Sequence, residues 1–522
     1  MKVVVVDVSS IQSYVFRSNL LRENIGASRL VSLASDEWVR ECLKGCSSAR
    51  LIYAAGGNAV VKFYDDTQVA VFAHALSHLV ITRAPGLNVV LGSAECDGCC
   101  NLAAAIQRAF RDVADRKQRT APDAPLMGLG VTAACRSTGL AAVGVTDMIG
   151  QDLSTVVEAS AEVLAKRNAT DDASWALRMR FAGELGNRFD FASEFDQLGR
   201  DVGESSRFAV VHIDGNGVGK RFQSVLTKYQ DDCGACVEAI GALSREVADI
   251  ANGALAETIS TLIRSVREGT ISAPDCRKAA PAKITLESMH GKSLLPFRPI
   301  LLSGDDFTFV CDARVALPLA AEFLKHFGAR DLSDGGGPLT ACAGIAMVKA
   351  HYPFAWAYDM AETLCQNAKR YRMEHRRLEA SSCMDWDVAA AGSVGVLHEI
   401  RDREYRTASG RLSLRPVTLD SNPIHPYRSW EVIDRLVAEF QGPEWSGSRS
   451  KAKDLAGALM RGPDAVRRFL TVYREGRNLP DLDSEFPDFM QTGWHADQCG
   501  YFDAIELMDC VIPLRRSPGG GA

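Results

Sequence analysis

The sequence predicts an α+β protein that builds one sheet-and-helix unit twice and then continues into a small α-helical region. Three observations predict it: two apolar strands that each end in an aspartate, two hairpins with polar tips, and the same order of elements around both. The first strand, Val3 to Val6, ends in Asp7, and helical sequence runs from Ile11 to about Cys42. LIYAAGGNAVVKFYDD then reads as a β-hairpin turning at Gly56, Gly57 and Asn58. The second strand, FAVVHI, ends in Asp214, helical sequence follows from about Phe222 to Glu268, and RPILLSGDDFTFVCD forms a hairpin turning at Ser303, Gly304, Asp305 and Asp306.

After each hairpin the pattern predicts a helix, a strand of small residues and a further helix. In the first copy VTAACRSTGLAAV is the expected strand and VVEASAEVLAKRNA the expected helix. In the second copy the expected pair is TACAGIAMVKAHYPF and AYDMAETLCQNAKRYR. Strand, helix, hairpin, helix, strand, helix is the order of a ferredoxin-like palm domain, with helices packed on an antiparallel sheet. The expected division is a first palm at 1–170, a linker at 171–205, a second palm at 206–392, a helical domain at 393–515 and a disordered tail at 516–522. Residues 270–292 read as a loop inserted before the second hairpin.

Composition sets limits on function. The chain has 522 residues, 47% of them apolar, and a formal net charge of −6. That balance argues against a broadly basic surface for duplex DNA or anionic lipid. No apolar run approaches the roughly 20 residues that span a bilayer, and MKVVVVDVSS is interrupted too early for a signal peptide, so a cytoplasmic protein without membrane contact is expected. Fifteen cysteines are too few for a disulfide scaffold. The pairs Cys96/Cys99 and Cys233/Cys236 each offer half of a tetrahedral zinc site, but neither has a second pair nearby.

The chemistry is expected where Asp214 and the Asp305-Asp306 hairpin meet. Carboxylates that converge there supply the oxygen ligands of Mg2+ or Mn2+, and two such ions suit in-line displacement at a nucleoside triphosphate. Asn216, Gly217, Gly219 and Lys220, in GNGVGK after Asp214, place backbone N–H groups and a charge near phosphate oxygens. Lys369 and Arg370 lie on the downstream helix and can face a triphosphate. A strand-ending aspartate is also a common turn residue, and an Asp-Asp tip a common solvated hairpin; the joint arrangement is what favours the site.

FAVVHIDGNGVGKRF, FRPILLSGDDFTFV and LTACAGIAMVKAHYPFAWAYDMAETLCQNAKR resemble the second palm of the large polymerase/cyclase subunit of type III CRISPR effector complexes. They are more distantly similar to GGDEF diguanylate cyclases. IQSYVFRSNLLRENIGASRLV with LIYAAGGNAVVKF resembles that family's first palm. The resemblance implies that Asp214 and Asp305 ligate metal beside Asp306, that the carbonyl of Ile213 or Gly215 completes the shell, and that Lys369 binds phosphate. It implies the joining of ATP into cyclic oligoadenylates for antiviral defence, with RNA or protein partners of an effector complex. Ser303 stands where the family's GGDD has its first glycine, Gly304 keeps the second, and Asn58 takes the place of the first carboxylate in the first copy. The first palm is therefore expected to be non-catalytic. With no His-Asp nuclease segment before it and no zinc ribbon between the palms, a stand-alone or differently partnered relative is expected. The competing expectation is a double-palm scaffold that binds nucleotide or RNA without turnover.

Overall fold

A computed structural model describes residues 1–96, 101–119, 130–147, 156–198, 207–274, 283–350, 352–389, 396–446, 449–474 and 476–515. The chain is a mixed α/β protein with several sheets, and the two largest share one strand order. In the first, β1 (Lys2–Ser9) leads through α1 (Leu21–Ser32) to the hairpin of β2 (Ala49–Ala55) and β3 (Asn58–Phe63). Next come α2 (Thr67–Arg83), β4 (Asn88–Glu95) and α3 (Leu102–Arg119). The sheet runs β2-β3-β1-β4 with every neighbour antiparallel.

The second repeats this. Strand β5 (Arg207–Gly215) is followed by α4 (Val218–Lys228) and the long α5 (Cys233–Arg264), then by the hairpin of β6 (Phe297–Ser303) and β7 (Asp306–Asp312). After it come α6 (Ala313–Phe327), β8 (Ala341–Lys349) and α7 (Phe354–Glu374). The order is β6-β7-β5-β8, extended by β9 (Cys383–Val388), parallel to β8, and by the short β10 (Val417–Thr418).

Strands β1 and β5 read as unbroken apolar runs because both of their faces are covered. Val3 and Val5 belong to one core with Ala209, Val211 and Ile213. Val4 and Val6 belong to another with Phe208, Val210, Phe354 and Tyr358. The repeats thus share their cores. Phe16 stacks on Tyr358 with ring centroids 4.0 Å apart, Asn19 Oδ1 accepts from the Phe354 N–H at 2.8 Å, and the Ser28 hydroxyl donates to the Ile300 carbonyl.

Several expectations need correction. The last strand of the first repeat is NVVLGSAE, not 131–143, where only the isolated bridge Ala134 to Ala141 forms. The helix behind it is α3, with Leu102, Ala105, Ile106, Ala109 and Val113 buried, not 156–169. Residues 156–159 instead pair with 144–147 in a small hairpin, while Ala161–Asn168 is helical as expected but packs on α1. Matching by small-residue composition misplaced both elements, whereas apolar continuity and helical periodicity mark the true ones. The expected linker is built into the molecule: the helix Thr170–Arg180 packs on α1, and Phe181, Leu185, Phe189 and Phe191 are buried. The described residues of 270–292 hold short strands, and the strand Lys292–Leu295 that follows pairs with Phe189–Phe191. The region after 396 combines helices with a four-stranded sheet, so it is not purely helical, and β10 joins it to the second large sheet. The expected tail at 516–522 lies outside the described residues.

One close contact fixes the helix behind each sheet. A Cβ at Gly344 would lie 1.9 Å from the carbonyl oxygen of Ala361 and 2.3 Å from the amide nitrogen of Cys365. A Cβ at Gly92 would meet the Ala109 carbonyl oxygen at 2.5 Å and the Val113 nitrogen at 2.7 Å. Both obstacles are backbone, so neither can rotate away. Gly344→Ala is expected to lower stability by about 1–3 kcal/mol, as overpacking does. The shift in urea midpoint measures it.

Candidate active site

Asp214 closes β5 opposite Asp306 at the start of β7 and beside Cys342 of β8. Asp305 occupies the turn just before β7, where its carbonyl accepts from the Gly215 N–H at 2.9 Å. Gly215 must lack a side chain, since a Cβ there would come within 2.7 Å of the Asp305 Cβ. Gly304 has φ +67°, the left-handed conformation that lets the hairpin turn. The sequence signals Asp-Gly and Gly-Asp-Asp are thus two halves of one tight junction.

Crowding governs its electrostatics. Loss of hydration, followed by the charge of Asp214, pushes the Asp305 carboxyl up to about 6. Loss of hydration and then the charges of Asp214, Asp305 and Glu362 push Asp306 up to about 8. Burial lowers His212 to about 4, so its Nδ1, 3.5 Å from Asp306 Oδ1, belongs to a neutral imidazole and brings no compensating charge at neutral pH. The nearby cation is Lys369, whose Nζ lies 2.5 Å from Asp214 Oδ2. Burial alone would lower its ammonium, but the hydrogen bond and charge of Asp214 hold it above its ordinary value.

Other expected residues are distributed around this junction. Gly217, at φ +71°, precedes the first turn of α4, and Gly219 and Lys220 are exposed on that turn. The Asn216 amide is committed to the protein: Nδ2 donates to Thr340 Oγ1 at 3.1 Å and Oδ1 accepts from Cys342 Sγ at 3.4 Å. Ile213 places its side chain in the core, and its backbone pairs with both β7 and β8. Arg370 is not drawn to the carboxylates; its guanidinium bonds Asn367 Oδ1 and lines a separate cavity toward the C-terminal region. Ser303 closes the turn opposite Asp306.

Two residues escaped the sequence reading. Glu362, seven positions before Lys369 on α7, shares its face and adds a fourth carboxylate. Lys117 of α3 lies 2.5 Å from Asp7 Oδ1, repeating the pairing of Lys369 with Asp214. The equivalence is set by the close contacts: Gly92, Ala109 and Val113 correspond to Gly344, Ala361 and Cys365, which places Lys117 on Lys369 and Phe110 on Glu362. The registers Asp7 to Asn58 and Asp214 to Asp306 likewise align Asn58 with the second carboxylate. Gly57, not Asn58, therefore stands in place of Asp305.

The two hairpin tips meet. A Cβ on Gly304 would lie 3.4 Å from the Gly56 Cα, and one on Gly57 would lie 4.0 Å from Ser303 Oγ. Beside them opens a cavity of about 480 Å³ lined in part by Ser28, Arg29, Arg180 and Arg298.

Among the described residues no group of three His, Cys, Asp or Glu side chains is drawn tightly enough to hold a metal ion. The donor set still fits a hard cation, because among the described residues Asp306 Oδ1 is buried without a hydrogen-bond partner and carboxylates stand beside it. Cys233 and Cys236 are free thiols at the start of α5, Cys99 lies outside the described residues, and no helix among the described residues is long and apolar enough to cross a membrane.

No family model matches the chain, and no curated protein matches it in sequence. Solved structures do match its fold. The crystal structure of a Csm1–Csm4 cassette in complex with cA3 aligns at TM-score 0.56 and 14% identity, covering 98% of this chain and 69% of that one. The fold is similar to that of Csm1. The cassette with one ATP gives TM-score 0.55 and 15% identity over 98% of this chain and 70% of that one, and the apo cassette 0.54 and 14% over 97% and 70%. Others hold pppApA or cA4, and one is described within the type III-A CRISPR-Csm interference complex. At these identities the likeness to Csm1 is one of fold.

The raised carboxyls give a pH signature. The native state keeps a proton on Asp306 between its ordinary value of 3.8 and about 8, where the unfolded chain has lost it. Metal-free stability therefore falls as pH rises through that window, and metal binding must release protons. The contribution of these two carboxyls to the Tm in EDTA is expected to fall as pH rises from about 4, that of Asp305 being lost by about pH 6 and that of Asp306 by about pH 8, and to recover with Mn2+. Asp306→Asn should flatten the fall and raise stability at the alkaline end by on the order of 1 kcal/mol.

Proposed function

We propose that the chain is a metal-dependent nucleotidyl transferase that converts nucleoside triphosphates, with ATP the expected substrate, into a cyclic or linear oligonucleotide messenger for antiviral defence. The observation that carries this reading is the gathering of Asp214, Asp305, Asp306 and Lys369 at one strand end and hairpin tip. It is supported by the fold likeness to proteins crystallised with ATP, pppApA, cA3 and cA4. On this reading residues 1–170 and 206–392 are two palm domains, and 393–515 form an appended domain. An RNA or a protein of an effector complex would be the activating partner.

Bound Mg2+ or Mn2+ would supply Lewis-acid stabilisation of the charge that develops on the phosphoryl oxygens. Asp214, Asp305 and Asp306 would hold the ions once deprotonated. Lys369 would then exchange Asp214 for phosphate oxygens, a move its flexible stem allows. The N-terminal N–H groups of α4, with Lys220 beside them, would receive the triphosphate. A 3′-hydroxyl attacks the α-phosphorus, the P–O bond to the β-phosphate breaks, and pyrophosphate leaves while the hydroxyl proton passes to water or a carboxylate. The first unit keeps Asp7 and Lys117 but not the hairpin carboxylates, so it would position a nucleotide without metal chemistry of its own.

Purified protein incubated with each labelled nucleoside triphosphate and Mg2+ or Mn2+ should release pyrophosphate and form an oligonucleotide that chromatography resolves. Asp305→Ala/Asp306→Ala should reduce the rate by on the order of 100-fold or more, as loss of electrostatic stabilisation does, and Lys369→Met should also slow it strongly. Metal-dependent nucleotide binding without product from any triphosphate, with or without RNA, would instead support the scaffold reading.

A further inference from the structure

A second basic cavity, of about 360 Å³, lies between the last two turns of α7 and the region after residue 396. Six arginines line it, against two carboxylates, Glu374 and Asp402. Two of the six are already neutralised. Arg401 makes a bidentate pair with Asp385 at 2.8 and 2.9 Å, and Arg415 reaches Glu506 at 2.8 Å. The other four are Arg370, Arg406, Arg411 and Arg428.

Arg428 carries the argument furthest. Its Nε donates to the carbonyls of Leu414 and Pro416 at 2.6 and 2.8 Å, and its guanidinium lies 4.1 Å from the centroid of the Tyr371 ring. Among the described residues no ion pair joins it to a carboxylate, and burial, against the opposing Tyr371 and with the Arg411 charge adding to it, lowers its pKa. Arg415 adds a second sign: Nη1 is paired with Glu506 at 2.8 Å and Asp503 at 3.6 Å, but its side chain is 0% exposed and, among the described residues, Nε and Nη2 have no hydrogen-bond partner. Buried N–H donors left without an acceptor are costly. The carbonyl end of α7 supplies only about half a negative charge. Arg401 pairs with Asp385 and Asp387 and Arg415 with Asp503 and Glu506, so six arginines stand against six carboxylates in all, but of these carboxylates only Glu374 and Asp402 line the cavity, whose wall is therefore predominantly guanidinium.

We propose that this cavity is a phosphoanion-binding site separate from the carboxylate junction. Several guanidinium forks around one space match the oxygens of a phosphate group, and the volume lies within the range that holds small ligands. The ligand bears at least one phosphate: inorganic phosphate, pyrophosphate or a nucleotide. Its occupancy would be felt at the junction, because Arg370 and Tyr371 line this cavity directly after Lys369 on the same helix.

Calorimetric titration of the full chain in EDTA with phosphate, pyrophosphate and ATP tests this, since without divalent metal the clustered carboxylates repel phosphate. Saturable binding by at least one ligand is expected, and the tightest of the three names the source. Arg406→Glu/Arg411→Glu, two exposed side chains at the rim, should weaken it about tenfold or more, and the milder Arg411→Ala should weaken it in the same direction with Tm unchanged. Asp305→Asn/Asp306→Asn should leave it intact. No saturable binding by any of the three, binding indifferent to both arginine variants, or binding lost in the aspartate variant would each overturn the proposal.

Discussion

The position of every group on α7 depends on the bare backbone of Gly344. Only where a strand lacks a Cβ can a helix bring its own carbonyls against the sheet, and the 1.9 Å that a Cβ would leave to the Ala361 oxygen shows how fully that approach is used. From this contact the helix runs two turns to Lys369, which reaches Asp214. On the other side it is braced by the first repeat, through the Phe16–Tyr358 stack and the Asn19 bond to its first N–H. The first repeat thus helps to build the junction without lending it a carboxylate.

The junction is held in tension. Asp214, Asp305, Asp306 and Glu362 repel one another in a poorly hydrated corner, and His212 is too buried to help. Lys369 neutralises one carboxylate, and raised protonation answers for Asp305 and Asp306. Such a site is stable with a proton or a cation and strained with neither. That is the condition expected of groups that exchange a proton for a bound cation.

Much of this could be read from sequence because strands and hairpins carry local signals. Asp214 ends an apolar run, Asp305 and Asp306 sit in a glycine turn, and Lys369 lies on a helix that follows a glycine-bearing strand. Glu362 was missed because a carboxylate on a helix means little until the helix's rotation is known, and only the Gly344 contact fixes it. Lys117 was missed for a related reason: small-residue composition drew the first repeat's last strand to 131–143, carrying the expected helix away from α3. The arginine cavity draws on α7, 398–416 and Arg428, and no spacing rule links them.

The duplication, once aligned by its close contacts, shows what each copy kept. Asp7 and Lys117 repeat Asp214 and Lys369 with the same ion-pair distance of 2.5 Å, and Gly92 repeats Gly344. The cluster of negative charge differs at three positions: Gly57 stands for Asp305, Asn58 for Asp306 and Phe110 for Glu362. Removing those three charges also removes the need for a cation beyond Lys117, so the first repeat is electrostatically settled while the second is not. Because the hairpin tips touch at Gly56 and Gly304, the settled copy faces the strained one directly. A nucleotide held by the first would therefore lie beside the groups that, on the proposed reading, act in the second.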